Sequence, residues 1–424
     1  MIHWNRRNFV KALGAGSAMG CFPLAAWGAI DPLKTGGKRV VVLGGGFGGT
    51  IAAKTLRMAD PSIEVILVDR ETSHVACPTS NLVIGGSRTI EQNRIGYDKL
   101  VSNHGITFVQ DHVTAIDPAA KTIVGAKGTI AYDRLIVSPG IDFRFEEIRG
   151  YDPATTPQIM PHAYKGGEQT LLLRKQLEEM ADGGVFVIAI PSFPIRCPPG
   201  PYERICQVAW YFKQAKPKSK IIVLDANPDI LSKGRLFRKA WAKYYDGMIE
   251  YRANQGVVRV TPASRTVHTE VEDVRGDVVN VIPPQKAALI AHQAGLAGED
   301  KRWCPVDQKT YESTLVPGIH VIGDACIAGT MPKSGFSANS QAKICALNMV
   351  AAMNGKKLVE PSAANVCYSF VSDKEAVTVS AVYRLKEGKM EAVPNSGGLS
   401  PDLSETEALY GRAWITNILA EMST

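Results

Sequence analysis

No two cysteines in this chain are spaced C-x-x-C, and no C-x-x-C-H occurs. These absences exclude zinc ribbons, thioredoxin-type redox motifs and a c-type haem attachment site on this polypeptide. Basic residues are not clustered either. Lys and Arg number 48 against 41 Asp and Glu, for a net charge of +7. A mild, scattered excess of that kind is no footprint for nucleic acid. There are no internal repeats and no low-complexity tracts. No apolar run is long and glycine-free enough to make a good membrane span. The chain has 424 residues, 45% of them hydrophobic, enough for two or three domains with cores of their own.

The first thirty residues contain no acid. They read NRRNFVKALGAGSAMGCFPLAAWGA, with Arg6, Arg7 and Lys11 ahead of a moderately apolar, glycine-bearing stretch and then small residues. This is the pattern of a twin-arginine export signal over 1–30, with cleavage near Ala29. It implies a protein exported already folded into the periplasm, where disulfides persist. Of the eight cysteines, Cys21 falls in this leader, which leaves an odd number beyond it. At least one of those must lack an internal cysteine partner.

The apolar pattern beyond the leader alternates between short strands and helices. RVVVL, then GGGFGG, then an amphipathic stretch form a strand, a glycine turn and a helix, and SIEVILVD is the next strand. Gly44-x-Gly46-x-x-Gly49 sits in that turn, and Asp69 closes the second strand twenty residues after Gly49. Glycines permit the tight turn and close backbone approach, the helix N-terminus receives pyrophosphate, and the carboxylate accepts from a ribose hydroxyl. With all parts in register the motif points to a dinucleotide. Short alternating pieces between Asp98 and Tyr132 predict a small antiparallel sheet. VFVIAI and KIIVLDA are strands of a second unit. GIHVIGDACIAG is a late strand ending in Gly323-Asp324, whose carboxylate suits a ribityl hydroxyl and the pyrophosphate of FAD. After Lys356 a hairpin and an amphipathic helix follow, the helix with a stripe at Leu409, Trp414, Ile415, Ile418, Leu419 and Met422.

In the second unit, glycine is nearly absent from the one turn where a phosphate cradle would need it. This strand-to-helix turn reads IPSFPIRCPPGPYER, where prolines remove backbone donors and a thiol, Cys197, takes the place of a phosphate cradle. NAD(P)H is therefore not expected as a substrate. Cys77, in HVACPTSN, lies eight residues past Asp69. It reads as a structural thiol, a redox thiol or a flavin attachment point. Cys304, Cys326 and Cys345 are assigned to packing, and Cys206, close in sequence to Cys197, is open between packing and a role at the site.

GGGFGG, SPG (Ser138–Gly140) and VIGDA together resemble the pyridine-nucleotide–disulfide oxidoreductases. That resemblance implies an α/β fold of two Rossmann-like, glutathione-reductase-like domains. FAD would bind to 37–150 and 288–355, the second unit (151–287) would be inserted, and an α+β domain (356–424) would cover the flavin. CPPGPYER, IPPQ, WCPVD, MPKSGFSANSQ and CYS narrow the resemblance to the flavoprotein subunit of flavocytochrome c sulfide dehydrogenase. The narrower resemblance implies FAD held covalently through its 8α-methyl by Cys77, a redox disulfide between Cys197 and Cys367, and Glu203 as an acid/base. It further implies hydrosulfide as substrate and a separate c-type cytochrome as partner. Lys333 is placed near the flavin ring. No metal is expected. The competing readings are a sulfide:quinone oxidoreductase, for which the tail is short of basic residues, and an accessory flavoprotein of a sulfur-oxidising complex.

Overall fold

The computed structural model describes residues 38–424; the predicted export signal and Cys21 lie outside them. The first unit runs through β1 (Arg39–Leu43), α1 (Gly49–Ala59), β2 (Glu64–Asp69), the short α2 (Ser80–Gly85), β3 (Thr107–Gln110) and β4 (Arg134–Val137). The second comprises β5 (Val185–Ile190), α3 (Gly200–Ala215), β6 (Lys220–Asp225), α4 (Gly234–Tyr244), β7 (Ile249–Arg252) and β8 (Val278–Val281). Then follow β9 (Ile319–Val321) and α5 (Gly335–Met353). Last come the hairpin β10 (Ser362–Phe370) and β11 (Ala376–Lys386), and α6 (Glu405–Ser423).

Two parallel sheets organise these elements. The first has the order β9-β4-β1-β2-β3 and the second β7-β6-β5-β8. Their central strands read as unbroken apolar runs because helices and loops cover both faces. Every residue of β1 is buried. β9 lies beyond the second sheet in sequence yet pairs with β4 in the first, Ile319 opposite Leu135. The chain thus leaves the first unit, builds the second and returns. The crossing is marked by an antiparallel pair in which Ile141–Phe143 meets Gln285–Ala287.

The region between Asp98 and Tyr132 differs from its sequence reading. Only 113–131 forms an antiparallel meander. Asp98–His104 is helical, and β3 is the parallel edge strand of the main sheet. An edge strand is half exposed, so its alternation imitates that of an antiparallel strand. In α6 the buried residues include Ile415, Ile418, Leu419 and Met422, whereas Leu409 is 64% exposed. Leu409 lies one residue, about 100° of helix, beyond buried Ala408 and so points outward.

The turn between β1 and α1 is a close crossing of backbone. Gly44 has φ +104, and a Cβ on Gly49 would stand 1.7 Å from the Gly44 carbonyl oxygen. Gly49→Ala must push the helix off the strand. A loss of about 1–3 kcal/mol is expected from such overpacking, measured by chemical denaturation of the purified variant.

Candidate active site

The C-terminal ends of β1, β4, β5 and β9 converge on one cleft with about 1240 Å³ of empty space, closed on its far side by β10 and α6. Its walls bring together residues far apart in sequence: Gly46, Cys77, Cys197, Glu203, Gly323, Asp324 and Cys367. Gly44, Gly49 and Asp69 form the turn beneath. There, Asp69 Oδ2 accepts from Gly45 N at 2.5 Å, and the other oxygen accepts from Glu71 N. Lys333 directly precedes Ser334 and Gly335 of the cleft wall. Its ammonium donates to the carbonyls of Asp324 and Cys326, each at 2.8 Å, and lies 3.8 Å from the Trp303 ring centroid. What Lys333 gives the site is its backbone, since its carbonyl accepts from Cys197 N at 2.7 Å.

Cys197 ends the β5–α3 loop with φ +50, a left-handed conformation unusual for a side-chain-bearing residue. Several bonds hold it there. Its carbonyl accepts from Gly200 N at 2.8 Å and from the Tyr164 hydroxyl at 3.0 Å. Cys367, in the middle of β10 opposite Val379, meets it from the C-terminal unit. Both are free thiols, and their side chains lie close enough for a hydrogen bond between them. That bond raises the Cys197 thiol well above the usual range, and burial adds to the effect. The same bond lowers Cys367, against the opposing effect of burial and with help from the Lys233 ammonium.

Glu203, in the first turn of α3, is buried beside this pair. Oε2 accepts from Asn81 Nδ2 at 2.8 Å and Oε1 from the backbone N–H of Phe370 at 2.8 Å. Burial nevertheless raises its carboxyl to about 7, where it can hold or release a proton at neutral pH. The next residue, Arg204, is fully buried. It donates to Asn81, Asn280 and the carbonyls of His162 and Ala163. His74 and Asn81 stand at the two ends of HVACPTSN, and Arg196 and Arg204 lie in IPSFPIRCPPGPYER, yet sequence reasoning gave none of them a role, nor Lys233, which lies in no such stretch. A buried Arg-Glu pair at a helix start was the only available hint.

The cleft suits FAD. The glycine turn lies at its floor, and three buried polar atoms of lining residues have no protein partner: Asp324 Oδ1, His74 Nε2 and Arg196 Nε. Unpaired buried polar atoms are costly, so each calls for a ligand atom or a water. Asp324 lies 3.9 Å from Arg196 Nη1, and Arg196 Nη2 lies 3.5 Å from Cys77 Sγ. Burial and the neighbouring Arg196 lower His74 to about 4, so it is neutral at pH 7.

The corresponding place in the second unit is filled from within. Asp225, at the end of β6, stands where a nucleotide-binding unit keeps its ribose acceptor. It is fully buried and already accepts from the Tyr202 hydroxyl at 2.6 Å, the Tyr251 hydroxyl at 2.9 Å and Asn227. At the head of α3, Pro199 and Pro201 offer no N–H, and Gly200 N is engaged by Cys197.

The fold and cleft define a flavoprotein of the two-dinucleotide oxidoreductase type. Residues 38–170 match the pyridine nucleotide-disulphide oxidoreductase model. Residues 170–283 match the central region of the sulfide dehydrogenase [flavocytochrome c] flavoprotein chain, and 359–422 match the flavocytochrome c sulphide dehydrogenase flavin-binding model. The chain belongs to the family of flavocytochrome c sulfide dehydrogenase flavoprotein chains, and FAD is its cofactor. Over 48 residues, 11% of this chain and all of the relative, it is 62% identical to the sulfide dehydrogenase [flavocytochrome c] flavoprotein chain of Chlorobaculum thiosulfatiphilum. It is 24% identical to the mitochondrial sulfide:quinone oxidoreductase of Mus musculus, over 76% of this chain and 72% of the relative. The sulfide:quinone oxidoreductase of Aquifex aeolicus shares the fold, with TM-score 0.77, 19% identity and 91% of each chain covered.

The raised Glu203 carboxyl makes a signed prediction. Its folded pKa lies above the unfolded value, so the protonated form favours the folded state. That stability is present below about pH 4.3, the unfolded value, and is lost as pH rises toward 7. Glu203→Gln removes this dependence. Unfolding free energies measured from pH 4.5 to 8 are expected to fall with pH more steeply in the wild type than in the variant; parallel curves would contradict the assignment.

Proposed function

We propose that this flavoprotein oxidises hydrosulfide through a Cys197–Cys367 disulfide and FAD, in the periplasm, and passes the electrons to a separate c-type cytochrome. The observation that carries the reading is that the free thiols Cys197 and Cys367 are brought together in one cleft with the glycine turn and Asp324. Two cysteines that meet at a buried cleft from separate units, 170 positions apart, suit a pair that opens and closes.

Hydrosulfide is a small, good nucleophile. It attacks one sulfur of the bridge; the bond between the cysteine sulfurs breaks, and its electron pair stays on the other cysteine as thiolate. The attacked cysteine becomes a persulfide. When bound, FAD supplies a two-electron acceptor that can release its electrons singly. A second hydrosulfide attacks the outer sulfur and carries it off as polysulfide, breaking its bond to the cysteine, which is left as a thiol; the bridge re-forms as two electrons and a proton leave the dithiol. Glu203 takes the proton from hydrogen sulfide or from the thiol being deprotonated, a role its neutral-range carboxyl suits. Cys77, beside Arg196 on the cleft wall, is the proposed covalent anchor of FAD.

A soluble acceptor is preferred over a quinone because α6 buries Ile415, Ile418, Leu419 and Met422 of its stripe against its own protein and has Arg412 as its one basic residue. Among the described residues no helix is long and apolar enough to cross a membrane. The twin-arginine sequence supports the periplasmic assignment.

The purified holoprotein, mixed with sulfide, is expected to bleach its flavin and then reduce added cytochrome c but not a short-chain quinone. Quinone reduction alone would replace the cytochrome reading with a sulfide:quinone oxidoreductase. Bleaching with neither acceptor reduced would leave an accessory role. Cys197→Ser and Cys367→Ser should each retain FAD and lose sulfide-dependent bleaching. Glu203→Gln should slow it by a factor on the order of 10²–10⁴.

A further inference from the structure

Lys233 is a buried cation that the proposed reaction leaves unused. It is 3% exposed and sits at the head of α4, in the second unit, with φ +61. A lysine is rarely buried without a reason, because desolvating an ammonium costs several kcal/mol. Its backbone conformation is also one that side-chain-bearing residues seldom adopt. The side chain reaches across to the C-terminal hairpin, where Nζ donates to the Cys367 carbonyl at 2.6 Å, the Ser369 hydroxyl at 2.8 Å and the Val377 carbonyl at 3.3 Å. None of these acceptors is a carboxylate, so its hydrogen bonds are satisfied while its charge is not neutralised through them. Cys367 and Ser369 are two residues apart on β10 and face the same side, toward α3 and α4.

We propose that Lys233 is a positioning residue of the dithiol, fixing the strand that carries Cys367 and making Cys367, rather than Cys197, the sulfur that bears negative charge when the bridge is reduced. This deepens the proposed function and rests on it only in treating the two thiols as a redox pair. Of the other ionisable groups around Cys367 only Cys197 also lowers it, and a bond shared by two like thiols does not by itself decide which of them gives up its proton. Cys197, from the β5–α3 loop, is the hydrogen-bonded partner, and Glu203, from α3, can only oppose a thiolate when ionised. Cys77, across the cleft, is a further thiol acting on Cys197. Glu407 of α6 bonds to Thr378, the register partner of Tyr368, and so belongs to the opposite face of the hairpin. Lys233 is the cation acting on Cys367 from behind the strand, and it also acts on Glu203.

The test needs no sulfide. The holoprotein is reduced with a phosphine and desalted. It is then alkylated briefly with iodoacetamide across pH 5 to 9, and the Cys197 and Cys367 peptides are quantified by mass spectrometry. In the wild type Cys367 is expected to titrate at lower pH than Cys197; the reverse order overturns the proposal without any variant. In Lys233→Gln the Cys367 midpoint should move up by about half a pKa unit or more, a roughly threefold loss of rate at neutral pH. Lys233→Arg, which keeps the charge, should restore most of it. An unmoved midpoint in a Lys233→Gln protein that retains its flavin spectrum would reduce Lys233 to a structural tether. Because alkylation is read without sulfide or acceptor, its outcome stands apart from whether the protein oxidises sulfide at all.

Discussion

A single turn of α3, from Glu203 to Gln207, joins the three parts of the molecule. Two of its side chains are charged and buried, and such groups are tolerated only when hydrogen bonds replace water on every side. The replacements come from elsewhere in the chain. Glu203 takes the N–H of Phe370 in the C-terminal hairpin and the amide of Asn81 in the first unit. Arg204 grips the chain where it enters the second unit, at His162 and Ala163, and reaches Asn280 on β8. Gln207 donates to the Phe370 carbonyl, so the end of β10 is bonded to α3 through both its N–H and its C=O. If this turn slipped, both charges would be left unpaired together with several carbonyls. The cost of that error is what fixes the hairpin, and therefore Cys367, over the cleft.

The strain gathered around the thiols follows from that anchoring. Thr79, Cys197 and Lys233 all take left-handed backbone conformations and all lie within the cleft wall or immediately behind it. Each costs about 1–3 kcal/mol when held by its surroundings. Over-determined hydrogen bonding is what permits it, as at Cys197, whose N–H and carbonyl are both engaged. A rigid loop on one side and a nine-residue strand pairing on the other leave the two sulfurs little freedom to separate. A dithiol so held can reclose quickly after opening, because the ends need not search for each other.

The sheets were legible because their strands are continuous apolar runs and their first turn is a glycine motif with a distant acid. β1, β2, β4 and β5 fall where the sequence puts them. The parallel edge strand β3 was misread, since half exposure gives it the alternation of a meander. Residues that act through tertiary contact left no local trace. Asn81 and Glu203 are 122 positions apart and Lys233 and Cys367 are 134; neither pair has a spacing that any helix or strand period would reveal. Lys333 stands beside the cleft, where its motif puts it, but its partners there, two carbonyls and an indole, are tertiary and leave no local trace either.

The interior filling of the second unit has a chemical logic. A pyridine nucleotide brings large binding energy to its site, and an enzyme that uses one must keep free donors at a helix start and a free acid at a strand end. Hydrosulfide brings almost none, since it is one heavy atom with one charge, and affinity is bounded by ligand size. A site for such a substrate gains nothing from an extended groove, and empty polar atoms there would only destabilise the fold. Tyr202 satisfies Asp225, the prolines remove backbone donors, and the loop ahead of α3 holds a thiol instead. Selection of the substrate then falls to charge rather than shape, with Arg196, Arg204 and Lys233 set against Glu203 and Asp324 around the cleft. Three cations against two acids, one of them Glu203 with its carboxyl raised to about 7, leave that environment cationic, which favours an arriving anion.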